Sequence, residues 1–199
     1  MRFECRYSYH PAPCEPCEFL EELTIDVVCL SGHSEEVVAG RMALDHLNID
    51  RAVNAHEDIY TICDSDSAGW EHVFAELFKP DTQAEWREDF KFDEPICHLL
   101  FLHNAVFHPA LLSWQSFIIH NVANLYGDIA ALVMWKGETD LTEEQLRDLG
   151  FWIIAGSELY MRANMLQHDY SPQRDETELF TLEVPRDAGE YIESNWNED

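Results

Sequence analysis

The chain has 199 residues, 46% of them hydrophobic, which fits one compact domain with enough apolar residues to fill its core. Its 39 acidic and 12 basic residues give a net charge of -27, which argues against direct binding to nucleic acid or to an anionic membrane, since both need a positively charged face. No apolar run approaches the roughly 20 residues that span a bilayer, and no signal peptide is recognisable. Six cysteines are too few for a disulfide scaffold in a chain of this length, which indicates a reducing compartment. We therefore expect a soluble cytoplasmic protein.

The first third of the chain predicts an arm followed by a β-hairpin. Residues 1–18 contain three prolines and little periodicity, so we expect an N-terminal arm on the surface of a single domain over residues 19–199. Apolar residues alternate from residue 23 to residue 29, the period of a half-buried strand. A second strand is predicted over residues 37–47, with Gly40 at a bulge or a close backbone contact.

The next segment predicts a short strand and then a helix. The strand is expected over residues 59–63, where the residues are mostly apolar or β-branched. Residues 64–67 offer side chains that can cap a helix N-terminus. The apolar spacing from Trp70 to Phe78 marks one face of that helix, which should end near Pro80.

The second half of the chain alternates strands and helices. A strand should close on residues 106–109, followed by a helix from about residue 111 to residue 126 and a turn. A buried strand is predicted over residues 129–135, and a short helix should lead through residues 149–151 into a final pair of strands. These elements predict an α/β (α+β) fold with a mixed, mostly antiparallel sheet flanked by helices.

This order of elements, with Val106-Phe107-His108-Pro109 closing one strand and Leu149-Gly150-Phe151 preceding the last strands, resembles the second half of a GNAT acyltransferase domain. That superfamily transfers acyl groups from coenzyme A to amines. The resemblance implies acetyl-CoA or another acyl-CoA as donor and an amine-bearing small molecule as acceptor. It also implies that the strands around Phe101 and Leu132 are adjacent and parallel, as expected for a right-handed crossover through one helix, with the pantetheine arm between them where they splay.

The resemblance places the cofactor at the end of the strand and in the turn after Pro109. The positions that would contact it are Ala105, Phe107, Leu112, Ser113, Gln115 and Ser116. The chain departs from the family here: Leu112 replaces an Arg or Gln, and Gln115 and Phe117 replace small residues that let backbone amides approach the pyrophosphate. No Lys or Arg occurs over residues 92–135. We therefore predict that coenzyme A binds weakly or not at all.

His103 and Tyr160 are the candidate catalytic residues. The family often uses a carboxylate-based general base and a tyrosine that protonates the departing thiolate, but Leu146 occupies the tyrosine position. His103 is the best remaining base, because imidazole titrates near neutrality and its strand is otherwise apolar. Tyr160 could serve as the acid. Both residues also fit purely structural roles, as a strand histidine bonded to backbone and as a packed aromatic.

The N-terminal arm holds a constellation with the ligand types of a zinc site. Cys14 and Cys17 can both reach one ion, and Cys5 and His10 could complete a tetrahedron. A structural zinc site usually pairs two such clips, and the second is incomplete here. We therefore expect surface thiols and no metal.

Two classes of function remain open from sequence alone. The first is an acyl-CoA-dependent N-acyltransferase whose acidic surface attracts a cationic substrate. The second is a non-catalytic module of the same fold that binds a basic protein or acts as an acidic mimic of nucleic acid. The departures at Leu112, Gln115 and Phe117 favour the second class, and the family resemblance favours the first. The acidic residues are dispersed, which also fits a surface that is simply solvated.

Overall fold

The computed structural model describes residues 1–80, 85–92, 95–164 and 182–196. Within these ranges the strands are β1 (Arg2–Ser8), β2 (Leu20–Ser31), β3 (Glu36–Asn48), β4 (His98–Phe107), β5 (Ala130–Trp135), β6 (Trp152–Ile153), β7 (Leu159–Ala163) and β8 (Glu183–Val184). The helices are α1 (Ile49–Asn54), α2 (Ile59–Asp66), α3 (Ala68–Leu77), α4 (Gln115–Ala123), α5 (Glu143–Asp148) and α6 (Ala188–Asn195). Short 3-10 turns occupy Pro16–Phe19, Pro109–Trp114 and Gly127–Ile129.

The strands form one mixed sheet in the order β1-β2-β3-β4-β5-β7-β6, with β8 beside β2. Most neighbours are antiparallel, whereas β4–β5 and β2–β8 are parallel. The predicted fold class is therefore confirmed. The parallel pairing of β4 and β5, with α4 between them in the chain, confirms that the strands around Phe101 and Leu132 are adjacent and parallel.

Each face of the sheet has its own apolar core, because alternate residues of a strand point to opposite faces. Leu100 and Leu102 of β4 belong to the cluster that also contains residues of α4 and α5. Leu99 and Phe101 belong to the other cluster, with α2 and α3. The two faces of β4 therefore contribute to two different cores, one beneath α4 and α5 and the other beneath α2 and α3.

Gly40 marks a close contact between β3 and β4, as the sequence predicts. A Cβ atom at this position would lie 2.7 Å from Cδ1 of Phe107, which is closer than side-chain carbons normally approach. The register of β2 against β3 also shifts beside Gly40, between Val27 and Val28. Glycine thus leaves the space that the Phe107 ring occupies beside β3.

Three predicted elements differ in the structure. Residues 59–63 form the start of α2 and not a strand, because Asp58 caps the helix and the buried Ile59, Ile62 and Cys63 follow helical spacing. The N-terminal segment was predicted to be irregular, which is wrong for Arg2–Ser8, the edge strand β1. The helix predicted from about residue 111 starts at Gln115, after a 3-10 turn. In the ranges described, no helix is both long and apolar enough to cross a membrane.

Candidate functional site

A cleft of about 540 Å³ opens on the face of the sheet that carries α2 and α3. Its floor is a row of residues at matching positions of four neighbouring strands, Ser8, Glu22, Asp45 and Phe101. The walls come from the 3-10 turn at Pro16–Phe19, from the junction of α2 and α3, and from the end of β5. The cleft is therefore assembled by strand register, from segments that lie far apart in the chain.

The cleft is strongly anionic. Four carboxylates line it, and among its described lining residues none is Lys or Arg. The side chains of Glu18 and Asp45 are half-buried, whereas Glu22 and Asp66 remain accessible at the rim. Loss of hydration and then the nearby Asp45 charge raise the pKa of Asp66. The lining therefore carries an excess of negative charge that no Lys or Arg among its described residues neutralises.

Glu18 is held in place by the backbone before it. Its carboxylate accepts hydrogen bonds from the backbone N–H groups of Cys14, at 2.6 Å, and of Glu15, at 3.2 Å. These bonds, chiefly the one from Cys14, lower the pKa of Glu18. Nδ1 of His10 lies 3.3 Å from the same carboxylate. The loop before β2 thus fixes one ionised carboxylate at the cleft.

His103 enters the cleft from a bulge in β4. Ala43 lies opposite Asn104 and Leu44 opposite Leu102, so His103 is the extra residue between them. Its Nε2 lies 3.5 Å from Oδ1 of Asp45. Burial opposes protonation of the imidazole, but the carboxylates of Asp45, Glu138 and Asp66 together outweigh it, so the pKa of His103 is raised.

Asp45 is positioned by two groups. Its Oδ1 faces His103, and its Oδ2 accepts a 2.9 Å hydrogen bond from Nε1 of the buried Trp70. Trp70 lies on α3 and its indole is fully buried, so it holds the Asp45 carboxylate oriented towards the histidine. This carboxylate–imidazole pair is the arrangement that orients a general base.

Aromatic rings complete the cleft. Phe101 and Trp135 meet edge to face, with ring centroids 5.9 Å apart. An aromatic face attracts a cation through its quadrupole, and this attraction adds to that of nearby carboxylates. Phe101 is only 2% exposed, so the half-buried Trp135 is the ring that a cation in the cleft can contact. Carboxylates beside an accessible aromatic ring are the chemistry that recognises an organic cation.

The structure separates the two predicted catalytic residues. Tyr160 is buried in β7 opposite Met134 and packs in the core beneath α4 and α5, on the face opposite His103. Burial raises the pKa of its phenol. His103 therefore has Asp45 as its partner, and Tyr160 cannot act on the same proton.

The positions predicted to contact a cofactor follow β4 into the next helix. Leu112 and Ser113 are exposed, and Ser116 is half-buried. Gln115 is buried and exchanges two hydrogen bonds with Asp140: its Nε2 donates to Oδ2 at 2.8 Å, and its Oε1 accepts from the Asp140 backbone N–H at 3.1 Å. The Gln115 amide is thus occupied within the protein and does not face an external anion.

The remaining two predicted cofactor positions, Ala105 and Phe107, lie where β4 extends past its parallel partner. In the described part of the chain, β5 pairs with β4 only as far as Leu102. The backbone N–H of Ala105 donates to the carboxylate of Glu138, whose pKa is raised by burial. Phe107 packs against Gly40 in the core. A carboxylate therefore sits where the resemblance places the pantetheine arm.

The structure locates all four residues of the alternative zinc constellation in the N-terminal segment. Cys5 and Cys14 are exposed, Cys17 is half-buried, and His10 faces Glu18. Across the described ranges, no group of three or more His, Cys, Asp or Glu side chains has a geometry that could hold a metal ion.

A second polar network was not predicted from the sequence. Glu21 contacts Nδ1 of the buried His46 at 2.8 Å, and Nε2 of His46 contacts Nδ1 of His98 at 2.9 Å. Tyr126 stacks on both imidazoles. Burial lowers the pKa of His46 despite the carboxylate beside it. The available signal was His46, a polar residue near the end of the strand predicted over residues 37–47, where a buried side chain needs a partner, whereas Glu21 precedes the strand predicted from residue 23.

Comparisons with protein-family models, with curated proteins and with solved structures found nothing that matches this chain. The cleft is therefore the part of the molecule from which a function can be inferred. Its features are an anionic lining, an oriented histidine and two aromatic rings.

Proposed function

We propose that the protein binds an amine-bearing cation in the acidic cleft. The observation that carries this proposal is the set of four carboxylates around one cavity that is also lined by the half-buried ring of Trp135. The volume lies within the range of roughly 300–1,000 Å³ that small-molecule sites occupy. An ammonium group there interacts with carboxylates and aromatic faces together, and both interactions strengthen as water is displaced.

The reaction that suits this arrangement is acyl transfer to the bound amine. An ammonium ion must lose a proton before its nitrogen can attack a carbonyl carbon, and neutral His103 can accept that proton through Nδ1, the ring nitrogen that does not face Asp45. The C–N bond then forms, the C–S bond of the acyl thioester breaks, and the departing thiolate takes up the second proton that the nitrogen must lose. Asp45 stabilises the imidazolium that results. The parallel β4–β5 pair and the family resemblance support this reaction.

A second candidate is a non-catalytic module that holds a lysine or arginine side chain of a basic protein in the same cleft. Two observations favour it. Gln115 is bonded to Asp140, and Glu138 occupies the edge of β4 that a pantetheine arm would need. With no Lys or Arg over residues 92–135, a multiply charged donor meets little countercharge there.

Calorimetry with the triamine spermidine tests the binding step that both candidates share. We expect binding, and we expect Asp45→Asn and Asp66→Asn each to weaken it, because each removes one charge from the cleft. Glu144→Gln is the matched control, since Glu144 is exposed on α5, which packs on the other face of the sheet. The proposal is wrong if no amine binds, or if the control variant weakens binding as much as the cleft variants do.

Calorimetry with coenzyme A and acetyl-CoA separates the two candidates. We expect weak or no binding in the usual mode, and Phe117→Gly should strengthen any binding that occurs, because it opens backbone amides to phosphate. Acyl transfer to spermidine that His103→Gln abolishes would establish the enzyme. Salt-sensitive capture of a basic protein that competes with spermidine, without acyl transfer, would establish the binding module.

A further inference from the structure

The edge strand β1 is an open surface for pairing. It is the terminal strand of the sheet, and within the described residues only β2 pairs with it. The pairing runs without a bulge from Arg2, opposite Val28, to Ser8, opposite Glu22. All of its residues except the half-buried Phe3 are exposed. An edge of this kind presents a row of unpaired backbone N–H and C=O groups, and β1 has neither a proline nor a bulge to protect it.

The sequence of β1, RFECRYS, is complementary to itself when two copies run antiparallel with Cys5 at the centre. In this register Glu4 lies opposite Arg6 of the partner subunit, and Phe3 lies opposite Tyr7 of the partner subunit. Twofold symmetry makes each pair occur twice. Residues directly opposite in such a pairing point to the same face, so the ion pairs share one face and the aromatic pairs share the other.

The charge of β1 also distinguishes it from the rest of the molecule. Arg2 and Arg6 against Glu4 leave this strand net positive, although the chain carries a charge of -27. Within the protein Arg6 contacts Asp26 at 3.1 Å and Arg2 contacts Glu4 at 2.5 Å, yet the side chains of Arg6 and Glu4 remain 63% and 51% exposed. Two copies would repel each other across most of their surfaces. The net positive charge of β1 does not attract a second copy of the same strand, so the attraction at this edge comes from the two Glu4–Arg6 pairs.

We propose that β1 is the interface of a homodimer, in which antiparallel β1–β1 pairing joins the sheets of two copies into one continuous sheet. Backbone hydrogen bonds across the new pair supply affinity that does not depend on side chains. The Glu4–Arg6 pairs set the register, because a shifted register loses them. Salt screens the repulsion between the two anionic bodies, so the dimer should become tighter from low to moderate salt.

Sedimentation equilibrium of the full chain with a pair of charge-reversal variants tests this interface. Glu4→Arg alone and Arg6→Glu alone each place like charges opposite one another twice, so each variant should be monomeric at concentrations where the unmodified chain is dimeric. An equal mixture of the two variants should regain the dimer, because every reversed side chain then faces an opposite charge. Regain on mixing also shows that both variants are folded.

Cross-linking through Cys5 provides an independent measurement. With Cys14→Ser and Cys17→Ser removing the other accessible thiols, a short bismaleimide should link two chains through Cys5, and Cys5→Ser should abolish the product. The proposal is overturned by a chain that stays monomeric at all accessible concentrations. A dimer that neither charge reversal weakens, or capture of a different protein by a monomeric β1, overturns it equally.

Discussion

Replacing Gly40 with alanine should destabilise the protein through one contact. The new Cβ would lie 2.7 Å from Cδ1 and 3.2 Å from Cε1 of Phe107, and 3.3 Å from Cγ2 of Val27. Because Phe107 is buried, its ring can yield only by displacing its neighbours in the core. Overpacking of this kind costs about 1–3 kcal/mol. The backbone φ of Gly40 is not positive, so alanine at this position introduces no backbone strain that would add to this estimate.

The assay is equilibrium unfolding in urea, with Gly189→Ala as the matched control. Gly189 lies in α6 with no heavy atom within 4 Å of a Cβ placed there. The same substitution should leave stability unchanged or raise it by up to about 1 kcal/mol, because alanine favours a helix more than glycine does. Equal stability of the Gly40→Ala variant and the unmodified protein would refute the contact, as would equal destabilisation by the two substitutions.

Three further predictions concern ionisable groups. Asp45→Asn should lower the pKa of His103, as measured by NMR titration. Because the pKa of His103 is raised in the folded protein, the Asp45–His103 pair stabilises the fold fully below the ordinary histidine pKa, and this stabilisation is lost as pH rises through the folded pKa. The loss of stability caused by Asp45→Asn should therefore be largest under acid conditions. Asp66→Asn should raise the melting temperature at neutral pH, with the gain vanishing below the ordinary aspartate pKa, since a raised folded pKa makes the ionised carboxylate unfavourable to folding. Cys14 should react with a thiol reagent in the native protein without loss of folding or release of zinc, whereas Cys63, whose thiol is buried and has a raised pKa, should react only on unfolding.

The sequence predicts elements well where burial imposes a period. Strands β2 and β3 were predicted because one face of each is buried, which makes apolar residues alternate. The edge strand β1 also alternates, with Phe3, Cys5 and Tyr7 between polar residues, but the three prolines that follow it predict an irregular arm for the whole segment. For residues 59–63, five residues are too few to separate a strand from a helical turn, and the cap at Asp58 decided the outcome.

The cleft was predictable only in part, because its residues come together through strand register. His103 was singled out as a lone titratable group in an apolar strand, but its partner Asp45 lies on another strand. The bulge that turns His103 towards Asp45 has no signature in the sequence of β4. Asp66 was interpreted as a capping residue ahead of α3, whereas it ends α2 and Ser67 caps the next helix.

The predicted behaviour of Asp66 distinguishes a binding cleft from an ordinary solvated surface. On a solvated surface, removing one carboxylate changes stability little. In the cleft, lost hydration and the nearby Asp45 charge both destabilise the ionised carboxylate of Asp66. Asp66→Asn should therefore stabilise the free protein while it weakens the binding of spermidine. Opposite effects on stability and binding are typical of residues kept for function. Glu144→Gln should produce neither effect. If Asp66→Asn stabilises the protein without weakening spermidine binding, the carboxylate is merely strained and the cleft is not an amine site.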